Sequence, residues 1–467
     1  MYDLVVIGAG PGGYVAAIRA AQLGMKTAIV EKDAFGGTCL NYGCIPTKAL
    51  FKDAQVINYM KHAETYGIDL NGTFQPNMDK VQKEKAKVVK TLTGGVEFLL
   101  KSNKVDICKG KGKIVSAGKV EVTDAKGGVK TLDTKKILIA SGSKSSLPPV
   151  KGIDNPGVIT SKEALEMDKV PEKIVIVGGG VIGIEFAGIY EAFGSQVTVV
   201  EFMPKIIPPI DKEITDRLHK LLERKNIKIM VGTKVEEVAK KGKGLAVTVD
   251  AGGKKSTLEC DQVLVSTGRE LDIEGLNLDA LGVKYDRKGI KVDENYQTNV
   301  PGIYAIGDVT GRVMLAHVAS AEGEACVERM NGHNASVDYD LIPSAVFTFP
   351  EVASIGKSEE QLKEAGVKYE VSKFQFTGNG KALTMHDSDG MVKVIATPDK
   401  QEILGVHILG PNASDLLTEA ATAMNGMFTV EEAANVMHGH PTLSEAFDEA
   451  LTAMLGRGIH SAPAKKK

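Results

Sequence analysis

Cys39 and Cys44 stand five residues apart in the segment Gly36-Gly37-Thr38-Cys39-Leu40-Asn41-Tyr42-Gly43-Cys44-Ile45-Pro46-Thr47-Lys48. A pair at that spacing could be a structural disulfide, half of a zinc site, two core thiols, or a couple cycling between dithiol and disulfide. Zinc needs two more Cys or His ligands at short spacing. None is near, and Cys108, Cys260 and Cys326 are scattered singly, so no metal is expected. Pro46 suits the first turn of a helix, where its missing N–H costs nothing. A Cys44 thiolate would then sit at a helix N-terminus, whose partial positive charge favours the reactive form. Lys48, one turn along the same face, would add a cation. These features favour electron transfer through thiols.

The electron partner is suggested by an internal repeat. Strand Leu4 to Ile7 leads into Gly8-x-Gly10-x-x-Gly13, a helix through Ala17 to Leu23, and a strand Thr27 to Val30 ending at Glu31. Strand Ile174 to Val177 leads into Gly178-x-Gly180-x-x-Gly183, a helix to Phe193, and a strand Val197 to Val200 ending at Glu201. Both acids stand 23 positions beyond the first glycine of their motif. In such a unit the first glycine makes the tight turn, the second lets backbone approach a pyrophosphate, and the third lets helix and strand pack closely. The helix N-terminus holds the phosphates and the acid takes the ribose hydroxyls. One such motif is often only a glycine-rich turn; two in register are not. Apolar runs ending in glycine turns close the units at Ile137–Gly142 and Val263–Arg269, and a further one, Ile303–Asp308, follows both.

Near the C-terminus lies His438-Gly439-His440-Pro441-Thr442-Leu443-Ser444-Glu445. Two histidines two apart would face apart on a helix, and no third ligand is evident. They could be a surface turn before a helix Leu443 to Leu455, or supply a general base, since imidazole titrates near neutrality.

The 467 residues predict three or four domains. With 57 basic and 59 acidic side chains, the formal net charge of −2 gives no electrostatic case for nucleic acid or an anionic membrane. No stretch reaches the ~20 apolar residues that span a bilayer, and Met1–Gly8 has no basic region and reads as a strand rather than a signal peptide. A cytoplasmic protein is expected, where a structural disulfide would be unusual and a cycling pair is favoured. The tail Pro463–Lys467 reads as a solvated terminus.

Along nearly the whole chain these segments resemble the pyridine-nucleotide disulfide oxidoreductases, and within that family the class I members that oxidise dihydrolipoamide. The resemblance implies an α/β fold, with two Rossmann-like dinucleotide-binding domains and a C-terminal α+β dimerisation domain. It divides the chain into an FAD domain (1–148), an NAD domain (149–271), a central segment returning to the flavin (272–343) and an interface domain (344–467). FAD would be held by Gly8, Gly10, Gly13, Glu31, Lys48, Ser141 (where Thr is more usual), Gly142, Asp308 and Ala316. NAD would be held by Gly178, Gly180, Gly183, Glu185, Glu201 and Gly268, with Glu185 also pairing with Lys48. A carboxylate at Glu201 repels the 2′-phosphate of NADP, and Val181 stands where reductases of the glutathione type carry an aromatic gate. By the same resemblance, Cys39 exchanges with substrate, Cys44 faces the flavin, His440 is the base and Glu445 orients it. His438 has only a structural role, and His317 departs from an otherwise familiar flavin-edge stretch, Met314–Ala316. The implied activity is oxidation of dihydrolipoamide on a lipoyl carrier protein by NAD+, in a homodimer with shared sites serving a 2-oxoacid dehydrogenase or glycine-cleavage assembly. The rivals are a glutathione- or mercuric-reductase-like enzyme and a catalytically silent flavoprotein subunit. Mercuric reductases carry a further C-terminal cysteine pair, and residues 445–467 hold no Cys.

Overall fold

The computed structural model describes residues 1–460; the tail Pro463–Lys467 lies outside them. Leu4, Val5 and Val6 are fully buried, as an unbroken apolar run must be when both faces of a parallel sheet are covered. Their strand, Tyr2–Ile7, lies between Thr27–Glu31 and Val129–Ile139, with Asp106–Lys109 beyond the first and Ile303–Ala305 beyond the second, all parallel. An antiparallel meander, Lys111–Ser116 and Lys119–Thr123, leads into Val129–Ile139.

The same plan recurs in the second unit. Lys173–Val177 lies between Gln196–Val200 and Gln262–Val265, flanked by Lys228–Met230 and Val158–Thr160, again all parallel. The meander is Thr233–Lys241, Gly244–Ala251 and Lys254–Cys260. The duplicated motif is thus the start of a duplicated architecture.

Two helix contacts position the site. Helix Ala316–Met330 crosses helix Pro11–Gln22 so closely that a Cβ on Gly323 would lie 2.6 Å from the Gly12 carbonyl oxygen. Helix Cys44–Lys61 packs on helix Val181–Phe193, where Leu50, Phe51 and Ala54 share a core with Phe186 and Tyr190. The C-terminal part is a five-stranded antiparallel sheet in the order Ser344–Val346, Glu351–Gly356, Ile403–Gly410, Met391–Ala396, Glu370–Gln375. Helices Ala413–Asn425 and Glu445–Met454 cover one face through Leu417, Phe447 and Leu451. The last helix starts at Glu445, two residues later than its apolar pattern predicts, because the Glu445 carboxylate accepts the Thr442 N–H and holds the preceding residues in a turn. Among the described residues no helix is long and apolar enough to cross a membrane.

Candidate functional site

One cavity of about 1720 Å³ is lined by both glycine turns, both terminal acids, the two cysteines, Lys48, Asp308 and Ala316. The two motifs divide their labour in the same way. A Cβ on Gly8 (φ +103°) would lie 2.3 Å from the Ala140 oxygen, and one on Gly13 1.9 Å from the Gly8 oxygen. In the second copy the distances are 2.5 Å from the Ser266 oxygen for Gly178 (φ +111°) and 2.0 Å from the Gly178 oxygen for Gly183. The middle glycines differ: a Cβ on Gly10 meets nothing closer than 4.0 Å, and one on Gly180 nothing within that range. The protein's own packing therefore does not require glycine there. The space lies in the cavity, where a pyrophosphate fits against a helix N-terminus.

The terminal acids are fixed alike. Glu31 accepts the N–H groups of Ala9 and Asp33, each at 2.7 Å, and Glu201 those of Gly179 at 2.5 Å and Met203 at 2.6 Å. Each carboxylate retains lone pairs for ribose hydroxyls. Burial pushes the Glu31 carboxyl upward. Lys205, the cation nearest Glu201 in sequence, is turned to the Ile210 carbonyl at 2.8 Å.

Between the two cradles, Ser141 Oγ is buried without a partner, and Gly142 and Gly268 also line the cavity. Asp308 accepts a 2.5 Å hydrogen bond from Ser143 Oγ, which in turn accepts one from Arg269 Nε at 2.6 Å. The Gly307 N–H is held at 2.6 Å by the buried carboxylate of Glu322, which also accepts from the Tyr339 hydroxyl. Sequence reasoning assigned no role to Ser143, Arg269 or Glu322. Arg269 stands inside a recognised segment, but only the folded chain shows that its side chain reaches Ser143. An orphaned hydroxyl, open space at both middle glycines and anchored acids make this cavity fit FAD at the first unit and a nicotinamide dinucleotide at the second.

Cys39 lies on helix Gly37–Tyr42, and Cys44 is the first residue of helix Cys44–Lys61. Close approach anchors this turn to the first motif: Gly36 N–H donates to the Ala9 carbonyl at 2.8 Å, and a Cβ on Gly37 would lie 2.7 Å from Gly10 Cα. Both cysteines are thiols in this structure. The Cys44 thiol is lowered to about 7, first by its hydrogen bond with Cys39 and then, against burial, by the Lys48 charge. The same hydrogen bond, with burial, pushes the Cys39 thiol upward. Cys44 is exposed and lines the cavity. Lys48 Nζ makes a two-pronged ion pair with buried Glu185, at 2.9 and 3.0 Å, and lies 4.5 Å from the centre of the Phe347 ring. The Phe347 N–H donates to the same carboxylate at 3.0 Å.

His440 and Glu445 lie elsewhere. His440 Nδ1 is 2.8 Å from Glu445 Oε1, the carboxylate's other oxygen accepts from Thr442 N–H, and the imidazole is 79% exposed. Neither residue lines the cavity that holds the cysteines. His438 is instead buried against Glu419, which raises its pKa. His317 lines the cavity with Nε2 at 2.9 Å from the Pro343 carbonyl, and burial lowers its pKa. Among the described residues no cluster of three potential metal ligands exists.

Residues 2–323 match the family model of pyridine nucleotide-disulphide oxidoreductases, and residues 342–451 match the dimerisation domain of the same family. Mitochondrial dihydrolipoyl dehydrogenases from Homo sapiens and Pisum sativum are each 45% identical to this chain, over 98% of it and 92% of their own length. The one from Caenorhabditis elegans is 45% identical over 98% of this chain and 94% of its own. Among solved structures, a HOCl-induced flavoprotein disulfide reductase from Escherichia coli superposes with a TM-score of 0.87 at 26% identity, covering 97% of this chain and 99% of that one. Duplicated nucleotide cradles, a paired thiol site between them and full-length similarity agree: the chain belongs to the pyridine nucleotide-disulphide oxidoreductase family.

Proposed function

We propose that the chain oxidises dihydrolipoamide, presented on a lipoyl carrier protein, to lipoamide with NAD+ as acceptor. The observation that carries this reading is Cys44, a thiol lowered to about 7 at a helix N-terminus beside Lys48, inside a cavity shared by two dinucleotide cradles. In the oxidised pair, His440, oriented by Glu445, takes a proton from one substrate thiol. The resulting thiolate attacks Cys39 Sγ, forming a mixed disulfide and expelling Cys44 as a thiolate. The substrate's second thiol passes its proton to the departing Cys39 as its sulfur attacks the first, closing the lipoamide disulfide, and the first proton stays on His440, matching the Cys44 thiolate. Substrate has then lost two electrons, and the protein disulfide has become the dithiol. Stabilisation of Cys44 as a thiolate by the helix terminus and Lys48 makes it the better leaving group. Bound FAD supplies the conversion between a dithiol's electrons and the hydride that NAD+ accepts. Glu31 and Glu201 fix the two ribose ends, and Ser141, Ser143 and Asp308 line the flavin side.

His440 stands outside its own chain's cavity, which supports a homodimer in which each site takes its base from the partner subunit. In this reading residues 1–148 carry FAD, 149–271 carry NAD, 272–343 close over the flavin and 344–467 form the interface. The assembly served is a 2-oxoacid dehydrogenase or glycine-cleavage complex. Three buried unbridged thiols, Cys108, Cys260 and Cys326, support a reducing, cytoplasmic setting; the relatives compared are mitochondrial, and cell fractionation decides between them. Steady-state rates with dihydrolipoamide, glutathione disulfide and Hg(II), each with the NAD and the NADP couple, test the activity. Dihydrolipoamide with NAD+ should dominate; preference for glutathione disulfide with NADPH would overturn the reading.

A further inference from the structure

Lys393 lies on strand Met391–Ala396 of the C-terminal sheet and is fully buried. A buried ammonium is tolerated only when closely paired. Its partner is Asp211 of the second nucleotide unit, also fully buried, at 2.9 and 3.0 Å; Glu359 at 2.6 Å and Glu213 at 3.0 Å complete the shell. The Asp211 carboxylate further accepts the Glu213 N–H, capping helix Lys212–Arg224, and the Glu359 N–H. Replacing such a cluster with apolar residues often costs nothing, so stability alone does not account for it.

That geometry bears on the nucleotide site. Asp211 ends the loop 202–210 that starts directly after Glu201. Phe202, Met203 and Pro208 of this loop line the cavity. Ile207 N–H donates to the Gly179 carbonyl at 2.9 Å, inside the second glycine turn, and Gly179 N–H in turn binds Glu201. Ile207 makes this contact at φ +44°, a left-handed conformation that a β-branched residue holds only when its surroundings dictate it. The loop is therefore pinned at Glu201 and Asp211 and bowed inward between them.

We infer that Lys393 is a positioning residue for the pyridine-nucleotide site: through Asp211, a side chain of the interface domain holds loop 202–210 against the second glycine turn. This rests on the assignment of NAD+ to the second unit. Freed of the anchor, the loop relaxes at Ile207, and the cradle loses part of its affinity for the dinucleotide while the thiol site is untouched.

The test uses the full-length FAD-loaded protein carrying Asp211→Asn, which keeps the shape and leaves Lys393 paired with Glu359 and Glu213. Calorimetric Kd and steady-state KM for NAD+ should both rise about tenfold, ~1.4 kcal/mol, with kcat and the dihydrolipoamide KM changed less than about twofold. Lys393→Met should reproduce the split where it folds. Lys373→Ala, which breaks an exposed 2.6 Å bridge to Glu213 between the same two domains, should leave NAD+ binding unchanged. A folded Asp211→Asn protein with lowered Tm but wild-type NAD+ Kd would reduce the cluster to a structural clamp and overturn the inference. So would a parallel rise in both KM values. Wild-type protein that fails to bind NAD+ would instead remove the nucleotide assignment, and the inference with it.

Discussion

The distinction between Cys39 and Cys44 is one of environment, since the two side chains are chemically identical. Cys44 gains the helix N-terminus, the Lys48 charge and a hydrogen bond from Cys39; at Cys39 the hydrogen bond to Cys44 and burial outweigh the pull of the same Lys48 charge and discourage ionisation. Only the thiolate is alkylated, so the iodoacetamide rate of Cys44 in the reduced protein should rise with pH through a midpoint of about 7. Below that midpoint the thiol is protonated and slow, and above it the rate is flat. Cys39→Ala removes the hydrogen bond that does most to stabilise the Cys44 thiolate, so the midpoint should move upward. A wild-type midpoint at the ordinary cysteine value would contradict the account. Cys39→Ser should likewise abolish dihydrolipoamide oxidation while leaving NADH able to reduce an artificial acceptor, because substrate exchange alone needs that sulfur.

At the level of the element, the middle and last glycines of the second motif predict different outcomes. Gly180→Ala places its methyl in open cavity, so the protein should fold with unchanged Tm while its NAD+ Kd rises and FAD content stays full. Gly183→Ala drives a Cβ to 2.0 Å from a backbone oxygen and should destabilise by about 1–3 kcal/mol, the usual cost of overpacking, or more because the obstacle is backbone. Thermal melts and calorimetry on the two variants separate the effects, and a Gly180→Ala protein with unimpaired NAD+ binding would place the dinucleotide elsewhere. Glu201→Arg should narrow the preference for NAD+ over NADP+, since a cation replaces the carboxylate that repels a 2′-phosphate. If wild-type protein uses NADP+ equally well, Glu201 does not discriminate.

For the whole molecule, the decisive feature is that neither His440 nor Glu445 lines the cavity of its own chain that holds Cys39 and Cys44. If two copies complete each other's sites, assembly and catalytic competence are a single event. Co-refolding Cys44→Ser chains with His440→Gln chains should then recover activity from two inactive proteins, because a hybrid dimer puts both lesions in one site and leaves the other intact. Hybrids shown to form by mass spectrometry but lacking activity would mean that the base acts within its own chain.

Local patterns were enough to place the glycine turns, the acids at Glu31 and Glu201, the strands beside them and the reactive cysteine segment, because each depends on backbone geometry within one βαβ unit or one helical turn. The pairing of Glu445 with His440, five residues apart across a tight turn, came instead from the family resemblance. What local pattern could not carry was any contact spanning the chain. Arg269 with Ser143, Glu322 with the Gly307 N–H and Lys393 with Asp211 join residues from about 15 to over 180 positions apart; the pair of Lys48 with Glu185 was expected only through the family resemblance, and the fold forms it. A charged residue on a helix or strand reads as solvent-facing until the fold shows what covers it, as it does for the wholly buried Lys393. Thiol chemistry and dinucleotide binding were therefore legible from residue types and spacing. Which carboxylate neutralises which cation, and the distance of His440 from its own chain's cysteines, were decided by packing, because burial sets both the cost of a charge and the partner that offsets it.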